Sequence, residues 1–328
     1  MSDRDDASVH SLPTKRDPGD VNLITELPNA IRRGSFDDVE ELLQYEGAVD
    51  IRFTYFFERE KAESTGVPPI ALAGGLGHNA IIQLLLDYGA KVDTANIGNG
   101  STALHLAAEH GKLQTVQLLL EKGAWVNDVN DFKYTSFHYA CWEGHLDIAK
   151  LLLSKGAELE FLDKDGWDAL AFACNRGNAH VVRWLLDLEI ENDGSRRRMN
   201  RNRQCDKGWT PLSRANLEKH FDCAQMLLQD PEVDLTLRDE DGDSALSNAA
   251  RQNVALFMLD IVQTKTYFPD DPVSMETCIA TPFEFALIEK EFLSNFAQVL
   301  RHPRGLELAM YWAVANGSMP LAQQCLYY

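Results

Sequence analysis

The chain has 328 residues, with 31 lysines and arginines against 50 aspartates and glutamates, a formal net charge of −19. That balance excludes a general nucleic-acid binder and a protein held on anionic lipid by charge alone, while 45% hydrophobic and 25% charged residues exclude wholesale disorder. The best apolar runs, such as Val254 to Val262, are far too short to span a bilayer, so no membrane partner is expected and a cytoplasmic location is, with the nucleus as the alternative.

Residues 1–20 are polar and mixed in charge, lack the apolar core of a signal peptide, and are expected to form a disordered tail. An array is expected over residues 21–328. Its first part, 21–47, contains Leu27 to Leu43 (LPNAIRRGSFDDVEELL), which reads as a degenerate first helix pair, and an insertion over 48–66 follows.

Residues 67–191 repeat clearly. Pro68 to Asp93, Thr102 to Asn127 and Thr135 to Glu160 align with one another, and Asp168 to Glu191 keeps the earlier part of the pattern. The repeated glycines are Gly77, Gly111, Gly144 and Gly177, in steps of 34, 33 and 33. Within one unit, Thr102 can cap a short helix that places Leu104, Ala107 and Ala108 on one face. Gly111 ends that helix; a second one carries Val116, Leu119 and Leu120 inward, and Gly123 supplies a left-handed stop. Neither helix is long enough to be stable alone, so the units must stack.

The period then stretches. Gly177 aligns with Lys219, a step of 42, and the surplus falls at residues 195–204 (SRRRMNRNRQ). Residues 208–262 repeat more loosely, 264–280 form a third insertion, and 281–328 read as degenerate final helix pairs.

The quoted segments resemble the ankyrin repeat, whose helix pair opens with a T-P-L-H-x-A pattern and whose units are joined by projecting β-turns. The resemblance implies an all-α ankyrin-repeat solenoid of about eight or nine helix-turn-helix units with β-turn fingers. It also implies a protein-protein interaction scaffold that binds its partner on the concave face and finger tips. In the family, His105 and His138 bond to the threonine and backbone of neighbouring turns, a structural role. Lys133 departs from the pattern, because it stands where the turn glycine belongs.

Within that frame the residues after the small-residue pair, Glu109 and His110, Trp142 and Glu143, Asn175 and Arg176, belong to the concave face. Phe132, Tyr134, Trp167 and Trp209 surround the turns. Aromatic residues among carboxylates fit a contact surface for a basic or aromatic segment of another protein, since Trp and Tyr carry much of the energy of desolvated interfaces.

Arg196, Arg197, Arg198, Arg201 and Arg203 give their insertion a local charge of +5 against −24 for the remainder. They suggest a solvated loop, a contact for an acidic or phosphorylated partner, or an import signal. Nucleic acid is disfavoured, because no stacking aromatics are interleaved.

Six cysteines without a CxxC pair, and acidic runs without the twelve-residue calcium loop, give no metal site, and no cofactor motif is present. Cys141 and Cys174 occupy the same repeat position and are expected to pack as small hydrophobes. An enzymatic alternative would need the insertions and late units to gather groups such as His220, Asp222, Cys223 and Asp206; no catalytic set is expected.

Overall fold

Helices of 7 to 11 residues are too short to persist alone in water, and every α-helix among the described residues lies in that range. The computed structural model describes residues 21–57, 62–192, 195–234 and 237–242, together with Ala245. The tail 1–20, residues 246–262, the insertion 264–280 and the degenerate end 281–328 lie outside the described residues. Among these there are six helix pairs: α1 (Leu23–Arg33) and α2 (Phe36–Leu42), α3 (Pro69–Leu76) and α4 (Asn79–Asp87), α5 (Ala103–Glu109) and α6 (Leu113–Glu121), α7 (Ser136–Glu143) and α8 (Leu146–Ser154), α9 (Ala169–Arg176) and α10 (Ala179–Asp187), α11 (Pro211–Leu217) and α12 (Phe221–Gln229). The chain divides into two units within the α7/α8 pair: the residues up to Tyr139 with Lys150–Ala157, and Ala140–Ala149 with those from Glu158 onward.

In the first unit α1, α3 and α5 pack in succession, and so do α2, α4 and α6. Leu27, Ile31, Leu72, Ile82, Leu85, Leu104 and Leu119 are buried between them. The approach of α3 to α5 is close enough that a methyl group on Gly74 would lie 2.8 Å from the Ala103 carbonyl oxygen. That contact is the physical reason for glycine where other units carry a side chain. His105 ties the unit together as the family pattern implies: its Nδ1 accepts from the Thr102 amide at 3.1 Å, and its Nε2 lies 3.0 Å from the carbonyls of both Asp128 and Tyr134. Burial lowers its pKa and favours the neutral ring, so Nε2 carries the proton and donates to the two carbonyls.

Within the insertion 48–66 the described residues include two paired strands, an element the all-α expectation did not contain. β1 (Phe53–Phe57) pairs antiparallel with β2 (Ala62–Val67), with Phe53 opposite Val67 and a bulge before Tyr55. Phe53 and Val67 anchor it by burial. The connections are stitched to one another by main-chain bonds, Ile97 to Gly66 at 3.2 Å and Asp131 to Asn99 at 2.9 Å. Lys133 keeps the finger's shape by adopting the left-handed conformation itself, at φ 59° where Gly100 has φ 74°. A side chain there costs roughly 1 kcal/mol.

In the second unit α9 packs on α11 and α10 on α12. Asp168 replaces the capping threonine of α9, accepting from the Ala171 amide at 2.9 Å, and Thr210 with Ser213 forms a reciprocal cap on α11. Lys219 ends α11 at φ 63°, doing the work of Gly177 at φ 75°. Cys141, Cys174 and Cys223 are buried, as expected of Cys141 and Cys174, and burial pushes all three thiols up, Cys223 to about 11. The arginine-rich insertion opens with a second hairpin, β3 (Glu189–Asn192) against β4 (Ser195–Arg198), so ordered strand pairing begins before the expected boundary at residue 195.

Candidate functional site

The second unit gathers six of the expected contact residues around one row of rings. Trp142, near the end of α7, stacks on Phe172 of α9 with centroids 5.2 Å apart and planes at 30°. Trp167, just before the α9 cap, lies 5.5 Å from the same ring. Phe172 itself is buried. At the corresponding place in α11 stands Arg214, whose Cζ is 4.8 Å from the Trp167 centroid and 4.9 Å from that of Trp209. Lys207 Nζ completes the row, 5.2 Å from Trp209. Each finger tryptophan therefore packs on the helix of its own repeat, Trp167 on Phe172 and Trp209 on Arg214.

Local geometry fixes the fingers that carry these rings. The Asp163 carboxylate accepts from the amides of Asp165 at 2.9 Å and Trp167 at 2.7 Å, and the Cys205 amide donates to the Trp209 carbonyl at 3.1 Å. Asp206 bonds to the Asp165 carbonyl at 2.9 Å, joining adjacent fingers. Asn178 donates to the carbonyls of Cys141 and Trp142, which holds the end of α7.

Charge in the row is distributed differently from the acidic face expected from sequence. The Glu143 side chain is only 12% exposed and pairs at 3.0 Å with Arg176, which is 52% exposed. Arg176 also stands over Trp142, with Cζ 5.4 Å from the ring centroid. Asn175 accepts from Arg214 Nε at 2.7 Å, and Arg214 Nη2 faces Glu218 at 3.1 Å. Desolvation lowers the Arg214 pKa from its ordinary value.

The remaining expected residues belong to the first unit. Phe132 is exposed at its finger and lies 5.7 Å from Tyr134, which contacts Tyr139 edge-on at 5.7 Å. Asn130 sets this finger by accepting from the Phe132 and Tyr134 amides at 3.0 and 2.9 Å. Glu109 and His110 are half-buried at the end of α5, with His110 Nδ1 2.9 Å from the Leu106 carbonyl. Sequence reasoning passed over Trp125 and Ile97, which are 73% and 72% exposed. Their signal was present: Trp125 occupies the register of Lys91 and Glu158, a place where the other units carry a charge.

The structure separates the arginines of the insertion. Arg201 is buried, donating from Nε to Asp230 at 2.8 Å, from Nη2 to the Leu186 carbonyl at 2.7 Å and from Nη1 to the Met199 carbonyl. Arg198 pairs with Glu189 at 3.1 Å and Glu232 at 3.4 Å. Arg203 faces Asp168 at 3.7 Å. Arg196 and Arg197 lie opposite Glu191 and Ile190 in the main-chain ladder of β3 and β4. A cleft of about 310 Å³ beside this hairpin is lined by Arg183, Arg198 and Arg201, but also by Asp187 and Asp230. Arg198, Arg201 and Arg203 thus meet the chain's own acids.

Of the groups considered for catalysis, the Cys223 thiol is buried with a raised pKa, and His220 Nε2 lies 3.0 Å from the Asn175 carbonyl. Both are placed for packing. Among the described residues no group of three or more His, Cys, Asp or Glu could hold a metal ion, and no helix is long and apolar enough to cross a membrane.

A family model described as ankyrin repeats (3 copies) matches residues 70–163 and 154–239, together more than half of the chain. Inversin of Danio rerio is 36% identical over 78 residues, covering 24% of this chain and 8% of that protein. Ankyrin repeat domain-containing protein 63 of Homo sapiens is 34% identical over 105 residues, covering 31% and 24%. The E3 ubiquitin-protein ligase KEG of Arabidopsis thaliana is 33% identical over 104 residues, covering 31% and 6%. The chain spans less than a third of the length of these relatives. With the matched repeats, the capped helix pairs and the stitched fingers in agreement, the chain belongs to the ankyrin-repeat family.

Proposed function

We propose that this chain is a protein-docking module, an adaptor or scaffold without catalytic activity of its own, that holds a segment of another protein along the row from Trp142 to Trp209. The observation that carries this reading is the row itself. Trp and Arg dominate interface hot spots, and here Trp142, Arg176, Trp167, Arg214 and Trp209 are already held in ring and ion contacts. Side chains fixed before binding lose little further rotamer freedom when a partner arrives. The exposed Phe132, Trp125 and Ile97 on the connections of the first unit support a second contact at the finger tips, because exposed apolar residues gathered on neighbouring loops mark association surfaces.

The test is recovery of partners from cells by affinity purification and mass spectrometry, comparing the full chain with Trp142→Ala and with a Trp125→Ala/Phe132→Ala variant. Loss of a common set of proteins from the Trp142 variant, at unchanged helical content, is the expected result. An identical set recovered with all three proteins would dismiss both surfaces.

A further inference from the structure

Arg214 stands where the aligned helices carry Leu106, Tyr139 and Phe172. An arginine in place of a core-facing apolar residue needs an explanation, because its guanidinium is clamped between two tryptophans and its side chain is only 20% exposed. Nε is satisfied by Asn175 at 2.7 Å, whereas Glu218 is an ion-pair neighbour of Nη2 at 3.1 Å without a hydrogen bond between them. A guanidinium carries five N–H donors in a rigid fork. The four on Nη1 and Nη2 therefore have no hydrogen-bond partner among the described residues. The pair with Glu218 is an i,i+4 contact to a side chain 42% exposed, a weakly held arrangement that an incoming acid can share or displace.

We propose that Arg214 is the carboxylate receptor of this surface: the Nη edge takes an Asp or Glu side chain of an acidic segment of the partner protein, while Trp142 and Trp167 take its flanking apolar groups. This rests on the docking reading above and reverses the partner charge expected from sequence. Three features favour an acid. Stacked arginine matches a planar carboxylate bidentately, and its partial burial strengthens a charged hydrogen bond relative to one in water. Arg176, the more exposed member of its pair with Glu143, adds a second cation beside Asn175. Lys207 adds a third at the other end of the row.

The probe is a phage-displayed library of short random peptides selected on the full chain. Peptides that bind the wild type and are lost on Trp142→Ala define binders of the row. These are expected to carry Asp or Glu, and amidating the critical acid is expected to weaken binding to the wild type about tenfold or more. The same change should have little effect on binding to Arg214→Gln. Arg214→Lys, which keeps a cation and most of the stem, serves the same cycle if the Gln variant melts early, and it too should lose the dependence on the acid. Row-binding peptides that are basic or uncharged, or an amidation loss equal in wild type and variant, would overturn the proposal while leaving docking intact. A library that yields no Trp142-dependent peptide defeats the docking reading, and this proposal with it.

Discussion

The second carboxylate oxygen of Asp168 stands 3.7 Å from Nε of Arg203, and neither atom has a hydrogen-bond partner among the described residues. The other oxygen caps α9, so the group is held in place while its charge is poorly matched. Burial raises its pKa from 3.8 to about 6 despite the Ala171 amide and Arg203, with Glu160 adding to the rise. Because the folded pKa lies above the unfolded one, the stabilisation is full below about pH 4 and is lost as pH rises through about 6. Urea denaturation should show Asp168 adding about 1 kcal/mol of stability at pH 5 relative to pH 8. Asp168→Thr, which restores the capping residue seen at Thr102, Thr135 and Thr210, should remove that increment.

Two lysines carry backbone conformations that suit glycine. Lys133→Gly and Lys219→Gly should each stabilise the fold by about 0.5–1 kcal/mol, since relief of left-handed strain outweighs the entropy that glycine adds to the unfolded chain. Midpoints of denaturant unfolding at unchanged m-value would report the gain, and a loss at both positions would mean that the lysine side chains contribute contacts greater than the strain.

Gly74→Ala should act in the opposite direction. The added methyl meets a backbone carbonyl, which cannot swing aside as a flexible side chain would, so α3 must move from α5. A destabilisation of roughly 2 kcal/mol is expected in thermal or urea unfolding.

Removing the buried cation of the insertion should be more damaging still. Arg201→Ala leaves Asp230 and the carbonyls of Leu186 and Met199 without their donor, and breaking a buried pair typically costs about 3–5 kcal/mol. Arg198→Ala, whose partners are 40% and 51% exposed, should change stability by less than about 1 kcal/mol. Unfolding curves of the two variants, compared side by side, check the contrast.

Trp125→Ser offers a separation of stability from binding. A side chain so exposed should be replaceable within about 0.5 kcal/mol. If the first-unit fingers take part in docking, recovery of the partner should fall while the melting temperature stays put.

The helix pairs were legible because their signals are local and repeat: a cap, a small-residue stripe and a left-handed glycine at a fixed step. Cys141 and Cys174 could be placed by register alone. The hairpins were not legible, since the strand Ser195–Arg198 (SRRR) has no apolar alternation and is recognisable only by its main-chain pairing with Glu189–Asn192. The burial of Arg201 was hidden for a different reason, as its partner Asp230 belongs to the segment after α12. The cover over Glu143 was not legible, because a sequence shows which acids are near in register but not which are covered. Trp125 is legible in the sequence, because it stands in the register of the charged residues Lys91 and Glu158.

Arg201 also changes how the second unit can open. A repeat array ordinarily unravels from its end by nearest-neighbour steps, but this guanidinium fastens the carbonyl of Leu186 in α10 to Asp230 just beyond α12. Release of α12 must break that fastening as well as the packing between helices. In hydrogen exchange, the amides of α10 and α12 should therefore respond as one cooperative block, with the inserted hairpin making a boundary between two repeats into an interior.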